Sequence, residues 1–85
     1  MSDTMRLTDL IRNYCDGNEV GWGVEFEWLR QNSGDATMRL LHLIKRDGIQ
    51  EPILLGNDGR VWDGHHRIYV AFLLRMGEVP VEYAA

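Results

Sequence analysis

The most constraining feature of the sequence is a short strand that runs into a helix through a single glycine. Residues 60–62 have the composition of a strand, Gly64 follows, and the apolar stretch 68–74 is typical of a buried helix. A helix that begins at such a junction directs unpaired backbone N–H groups and the positive end of its dipole at whatever lies in front of it. The junction therefore predicts an anion-binding turn.

The residues around this junction, 63–67, read DGHHR, and we call them the glycine turn. Gly64 alone is compatible with a tight strand-to-helix connection that has no ligand. The basic side chains that follow it, His65, His66 and Arg67, favour an anion site instead.

Asp63 has two interpretations, because it can cap the helix or it can hold a Mg²⁺ ion that bridges it to a phosphate. His65 and His66 are adjacent, so on a helix they diverge by about 100° and are poorly placed to ligate one metal together. We expect one of them to face the site as a proton carrier or phosphate donor, and the alternative is a surface histidine.

Length and composition set the scale of the fold. The 85 residues, 45% of them hydrophobic, suffice for one domain spanning 1–85. A domain this small commonly depends on a partner or ligand for stability, so a homodimer is compatible with the sequence. We expect at least two of the three tryptophans, Trp22, Trp28 and Trp62, to lie in the core, although any of them could stack on a base.

Apolar spacing predicts the remaining elements. Helical periodicity indicates helices over 8–14 and over about 35–47. Alternation over 24–28 indicates a strand with its two glutamates facing outward. Residues 52–62 read as a β-hairpin, and 79–83 as an edge strand in which proline is tolerated.

Three segments together resemble the N-terminal domain of the ParB family, also called the ParB-like nuclease domain, which shares its fold with sulfiredoxin. They are residues 47–55, the glycine turn and residues 79–81. Their order and spacing match over about 24–83, after an N-terminal helical extension at 1–20. The resemblance implies a small α+β domain with a short mixed sheet and packed helices.

The resemblance also implies a nucleotide site, in which the helix that begins at Gly64 holds the phosphates of CTP or ATP and Arg67 contacts them. The DGHHR sequence is more similar to the ParB-like free serine kinases than to partition proteins, which usually have Glu-Arg-Arg after the glycine. Those kinases transfer a phosphoryl group to a hydroxyl and place a catalytic glutamate after the first strand. Glu27 lies at a comparable position, and its alternative interpretation is a solvated glutamate on the strand face.

Charge and cysteine content limit the binding partners and the cellular compartment that fit this sequence. A net charge of −4 argues against a protein that mainly coats DNA or binds an anionic membrane. Cys15 is the single cysteine, and we see neither a signal-peptide pattern nor an apolar run long enough to span a membrane. These features predict a cytoplasmic protein.

The predicted function is binding of a nucleoside triphosphate at the glycine turn, with nucleotide hydrolysis, phosphotransfer or nuclease action as the enzymatic classes. Gly64, His65 and Arg67 are the predicted nucleotide ligands, and Asp63 is the predicted Mg²⁺ ligand. Glu27, Asp63 and His66 are the catalytic candidates. The alternative is a non-catalytic phage or mobile-element accessory protein that engages DNA or a host protein.

Overall fold

Four strands and four helices make up residues 3–16 and 21–84, the ranges that the computed structural model describes. The strands form one mixed sheet, and the predicted α+β class is confirmed. In chain order the elements are β1 (Asp3–Arg6), α1 (Leu7–Asn13), α2 (Trp22–Asn32), α3 (Gly34–Asp47), β2 (Ile53–Leu55), β3 (Val61–Asp63), α4 (His65–Leu73) and β4 (Glu78–Tyr83).

The sheet order is β1-β4-β2-β3, which places β4 inside the sheet rather than at its edge. β4 pairs antiparallel with β1 and parallel with β2. The edge position predicted for 79–83 is therefore wrong. The sequence gives no sign of β1, because this mostly exposed strand lacks the alternation of apolar and polar residues that is typical of a strand. Pro80 is accommodated because it faces Thr4 of β1 and precedes the parallel register with β2, which begins at Val81.

The N-terminal segment joins this sheet as well as packing on it. The part of the predicted helical extension 1–20 that the structure describes, residues 3–16, contains both β1 and α1, whereas residues 1–2 and 17–20 lie outside the described ranges. Leu7 and Leu10 of α1 are buried in the main core. The extension therefore contributes a strand and core residues to the fold.

The predicted hairpin is confirmed. β2 and β3 pair antiparallel, with Leu55 opposite Val61 and a register shift beside Leu54. The turn between them closes with a hydrogen bond from the Gly56 N–H to the Arg60 carbonyl at 2.7 Å. β3 leads directly to the glycine turn, so the hairpin sets the position of that turn.

The core lies between the sheet and the helices and holds α4 in place. It includes fully buried residues from α1, both central strands and α4, namely Leu10, Ile53, Leu55, Ile68, Ala71, Val79 and Val81. Burying one large aliphatic side chain contributes about 1.5–3 kcal/mol relative to leaving it exposed. The first turn of α4 is consequently anchored against β2.

Residues 24–28 are helical, so the strand predicted there is wrong. Trp22, Phe26 and Leu29 recur at the spacing of a helix face and pack inward, while Val24 and Trp28 are exposed. Five residues that alternate apolar and acidic fit the period of a strand as well as that of a helix. The extension of the apolar pattern to residues 22 and 29 favours the helix. The three predicted helices, α1, α3 and α4, are confirmed, and α3 ends at Gly48 with a φ of 77°.

The tryptophans also differ from expectation. Trp22 belongs to the core, but Trp28 is 55% exposed and Trp62 is 49% exposed. The expectation that at least two would be buried is therefore wrong. None of the helices within the described ranges has both the length and the apolar composition that crossing a membrane requires.

Candidate functional site

The glycine turn joins β3 to α4 at a position that only glycine fits well. Gly64 has a φ of 111°, a left-handed conformation that L side chains rarely adopt. A Cβ added there would lie 3.0 Å from Ile53 Cγ1 and 3.3 Å from Ile53 Cα. Conformation and close packing on β2 thus both require glycine, which explains the residue without reference to a ligand.

The start of α4 has no side-chain cap. Gly64 is the N-cap residue, and its carbonyl accepts the Ile68 N–H at 2.9 Å. The N–H groups of His65, His66 and Arg67 precede that bond and so have no carbonyl partner within the helix. Of the two interpretations of Asp63, the capping one is wrong, since Gly64 takes the N-cap position and the Asp63 carboxylate turns to Arg67.

Arg67 ties α4 to the segment before β2. Its Nη1 donates to the carbonyls of Pro52 at 2.8 Å and Glu51 at 3.2 Å, and its Nη2 lies 3.3 Å from Asp63 Oδ2. A weaker pair, at 3.7 Å, joins Nη2 to the exposed Glu51 carboxylate. Because the Arg67 side chain is 16% exposed and well bonded, it has a structural role in addition to any contact with a ligand.

A groove of about 480 Å³ opens on the glycine turn. This volume is in the range of small-molecule sites. The groove brings five predicted site residues together with residues of α2 and of the hairpin; its lining is Glu25, Trp28, Leu29, Asp58, Arg60, Val61, Trp62, Asp63, Gly64, His65, His66 and Arg67.

Glu27 is the predicted site residue that the structure does not bring to this groove. It lies on the exposed side of α2 and accepts hydrogen bonds from Arg30 and from Gln31, the latter at 2.8 Å. The hydrogen bond from Arg30 is the main reason that its pKa falls from 4.5 to about 2. A carboxylate with so low a pKa is a poor proton acceptor at neutral pH.

Glu25 lines the groove instead, and sequence reasoning placed it on the outside. It is 7% exposed, and no described residue donates a hydrogen bond to its carboxylate. A carboxylate that opens on a groove and has no donor beside it can accept a proton from a ligand bound there. The missed signal is the helical spacing that puts Glu25 on the same face as Trp22 and Leu29.

The histidines and Asp63 border the groove without forming a metal cluster. His65 and His66 are half-buried, and the His65 ring lies 6.0 Å from that of Trp22. Within the described ranges, no three His, Cys, Asp or Glu side chains are grouped to hold a metal ion. Asp63 remains a predicted Mg²⁺ ligand only in combination with phosphate oxygens, which commonly complete such a site.

Comparison with known proteins finds similarity both in sequence and in structure. The chain is similar to the ParB-like nuclease domain-containing protein YnaK of Escherichia coli (strain K12), with 35% identity over 52 residues, or 61% of this chain and 60% of that protein. No family model matches the sequence.

The fold is similar to the structure of a Pnob8-like ParB-N domain, with a TM-score of 0.63 and 11% identity over 98% of this chain and 29% of that one. This chain thus spans less than two thirds of either relative. The two findings agree with each other, and they confirm the resemblance to the ParB N-terminal family.

Proposed function

We propose that this ParB-like domain binds the phosphates of a nucleoside triphosphate at the glycine turn. The observation that carries the proposal is the uncapped start of α4, whose first residues line the groove. Unpaired N–H groups and a helix dipole equivalent to roughly half a positive charge attract anions to such a position. Gly64, His65 and Arg67 are the proposed phosphate ligands.

The charges of the groove indicate that the nucleotide arrives with a cation. Arg60 and Arg67 oppose three carboxylates, those of Glu25, Asp58 and Asp63, so the acids outnumber the arginines. A Mg²⁺ ion is usually held by one or two carboxylates together with phosphate oxygens. Asp63, which is exposed at the edge of the turn, would hold it, and Mg²⁺ complexes of CTP or ATP are the proposed ligands.

Hydrolysis of the phosphate, or its transfer to a hydroxyl, needs a base beside the bound nucleotide. Glu25 and His66 line the groove, so Glu25 replaces Glu27 as the proposed base and His66 is the proposed proton carrier. Transfer to a hydroxyl is the activity that similarity to the free serine kinases implies. Nuclease action is not part of the proposal, because the described residues contain no cluster of ligands for two metal ions.

A thermal-shift titration tests binding. ATP, CTP, ADP and tripolyphosphate are each added with and without Mg²⁺ to the full chain. A ligand at 100 times its dissociation constant stabilises the fold by about 2.7 kcal/mol, and in a domain of this size each kcal/mol raises Tm by about 4–8 °C. If none of these compounds raises Tm at millimolar concentration, the proposal fails.

Two substitutions of His66 separate binding from folding. His66→Glu adds a negative charge at the start of α4, which favours the helix but repels phosphate. His66→Gln is the matched control without the charge. We expect ligand-induced stabilisation to be lost in His66→Glu and largely retained in His66→Gln, and equal responses from the two variants would contradict a phosphate site here.

A second candidate function is engagement of a host protein or DNA without catalysis. Phe72 and Leu73 favour it, because both are about half-exposed on a helix whose preceding turn is buried. Exposed apolar side chains that cluster on a surface often mark interaction sites. In that case the domain gains no stability from nucleotides, so the same titration distinguishes the two functions.

A further inference from the structure

Trp62 is a large aromatic side chain that the fold holds at the surface. Its neighbour in β3, Val61, is 1% exposed and faces the core, whereas Trp62 points to the other side of the sheet and is 49% exposed. Trp62 lines the same groove as the glycine turn, which begins at the next residue. An indole in this position presents a wide apolar surface beside the turn that is proposed to hold the phosphates.

Two neighbours fix the ring. Its Nε1 donates a hydrogen bond to Asp58 Oδ1 at 3.0 Å, and the same oxygen accepts the Arg60 N–H at 3.1 Å. The indole also occupies the space that a Cβ at position 56 would need, so Gly56 is the residue that lets it lie against the hairpin. A ring already fixed in place loses little side-chain entropy when a ligand covers it.

We propose that the indole of Trp62 is the stacking surface for the base of the nucleotide. The inference rests on the proposed function, because the phosphates at the glycine turn bring the base to this part of the groove. Trp28, the other half-exposed tryptophan, borders the groove from α2. Stacking accepts any base, since every base has a π face, so Trp62 recognises a nucleotide as a class rather than one particular base.

The test compares ligands with and without a base. Dissociation constants of ATP, CTP and tripolyphosphate, all with Mg²⁺, are measured by calorimetry for wild type and Trp62→Ala. Loss of one base–aromatic contact weakens binding by about 5- to 150-fold. We expect that loss for both nucleotides and no comparable change for tripolyphosphate, whose unchanged affinity also shows that the variant is folded.

Two further variants sharpen the result. Gly56→Ala leaves Trp62 in the chain but places a Cβ where the indole lies, so nucleotide affinity falls and tripolyphosphate affinity does not. Tyr83→Ala, which removes a half-exposed aromatic ring outside the groove, is the matched control and leaves all three constants unchanged. Trp62→Phe keeps an aromatic face and should restore part of the affinity lost in Trp62→Ala.

The outcomes separate the two proposals. If tripolyphosphate binds the wild type and Trp62→Ala leaves nucleotide affinity unchanged, or weakens all three ligands equally, the base site is wrong and the phosphate site stands. If none of the three ligands binds the wild type, the proposed function fails and the base site fails with it.

Discussion

The two sides of α2 carry glutamates two residues apart in opposite surroundings. Glu25 is buried at the groove and receives no hydrogen bond from any described residue. Glu27 is exposed and held by Arg30 and Gln31, which keep its pKa near 2. The comparison teaches that the neighbours of a carboxylate, rather than its place in a motif, decide whether it is available for proton transfer.

The largest expected effect separates the two glutamates by activity. Glu25→Gln should lower the rate of phosphate release from Mg²⁺-ATP or Mg²⁺-CTP by about 10²–10⁴-fold, the usual contribution of a general base. Nucleotide binding should persist, because the substitution removes a negative charge from the groove. Glu27→Gln is the matched control and should leave the rate unchanged. An equal loss in both variants, or release that is insensitive to Glu25, would show that the two faces are not functionally different.

A second prediction compares a buried and a half-exposed side chain of α2 by their contribution to stability. Leu29 is 2% exposed on the inner face, so Leu29→Ala should lower the free energy of unfolding by about 2–5 kcal/mol. Trp28 is its half-exposed neighbour in the sequence, and Trp28→Ala should change the free energy of unfolding by no more than about 0.5 kcal/mol. Urea denaturation of both variants measures the difference, and equal losses in the two variants would contradict the different burial of these side chains.

The smallest effect concerns pH. Because the pKa of Glu27 is about 2 in the folded chain and 4.5 when unperturbed, its pairing with Arg30 stabilises the fold above about pH 4.5. That stabilisation is lost as the pH falls from 4.5 to 2. The pair is exposed and screened by salt, so the contribution is small. Thermal unfolding of wild type and Glu27→Gln should differ slightly at neutral pH and converge near pH 2, and a difference that persists at pH 2 would argue against this pair.

Local signals in the sequence were sufficient for much of the fold. The spacing of apolar residues and the glycine at position 48 located α3, and the turn residues 57–59 located the hairpin. The five residues of the glycine turn were predicted to lie at one site, and all five line the groove. They are consecutive residues at a strand-to-helix junction, so they cannot lie far apart. These elements depend on interactions within a few residues.

Other features could not be read from the chain in this way. Residues 24–28 satisfied two periods at once, and the contact of Phe26 with Tyr69 and Phe72 on α4 shows which one the tertiary structure uses. The interior position of β4 depends on β1, a strand from the opposite end of the chain with few buried residues. The first error comes from too short a window, since the apolar pattern extends to 22 and 29, and the second comes from pairing between distant segments.

The sequence alone therefore determined the turn at Gly64 and the acidic and basic groups around it, because backbone conformation and neighbouring side chains are local properties. Tertiary structure decided which residues share the groove with that turn. The helical form of α2 brings Glu25 and Trp28 there and turns Glu27 away, while Gly56 and Asp58 hold Trp62 at its edge. The groove joins residues of α2, the hairpin and the glycine turn, so it exists only once the chain has folded.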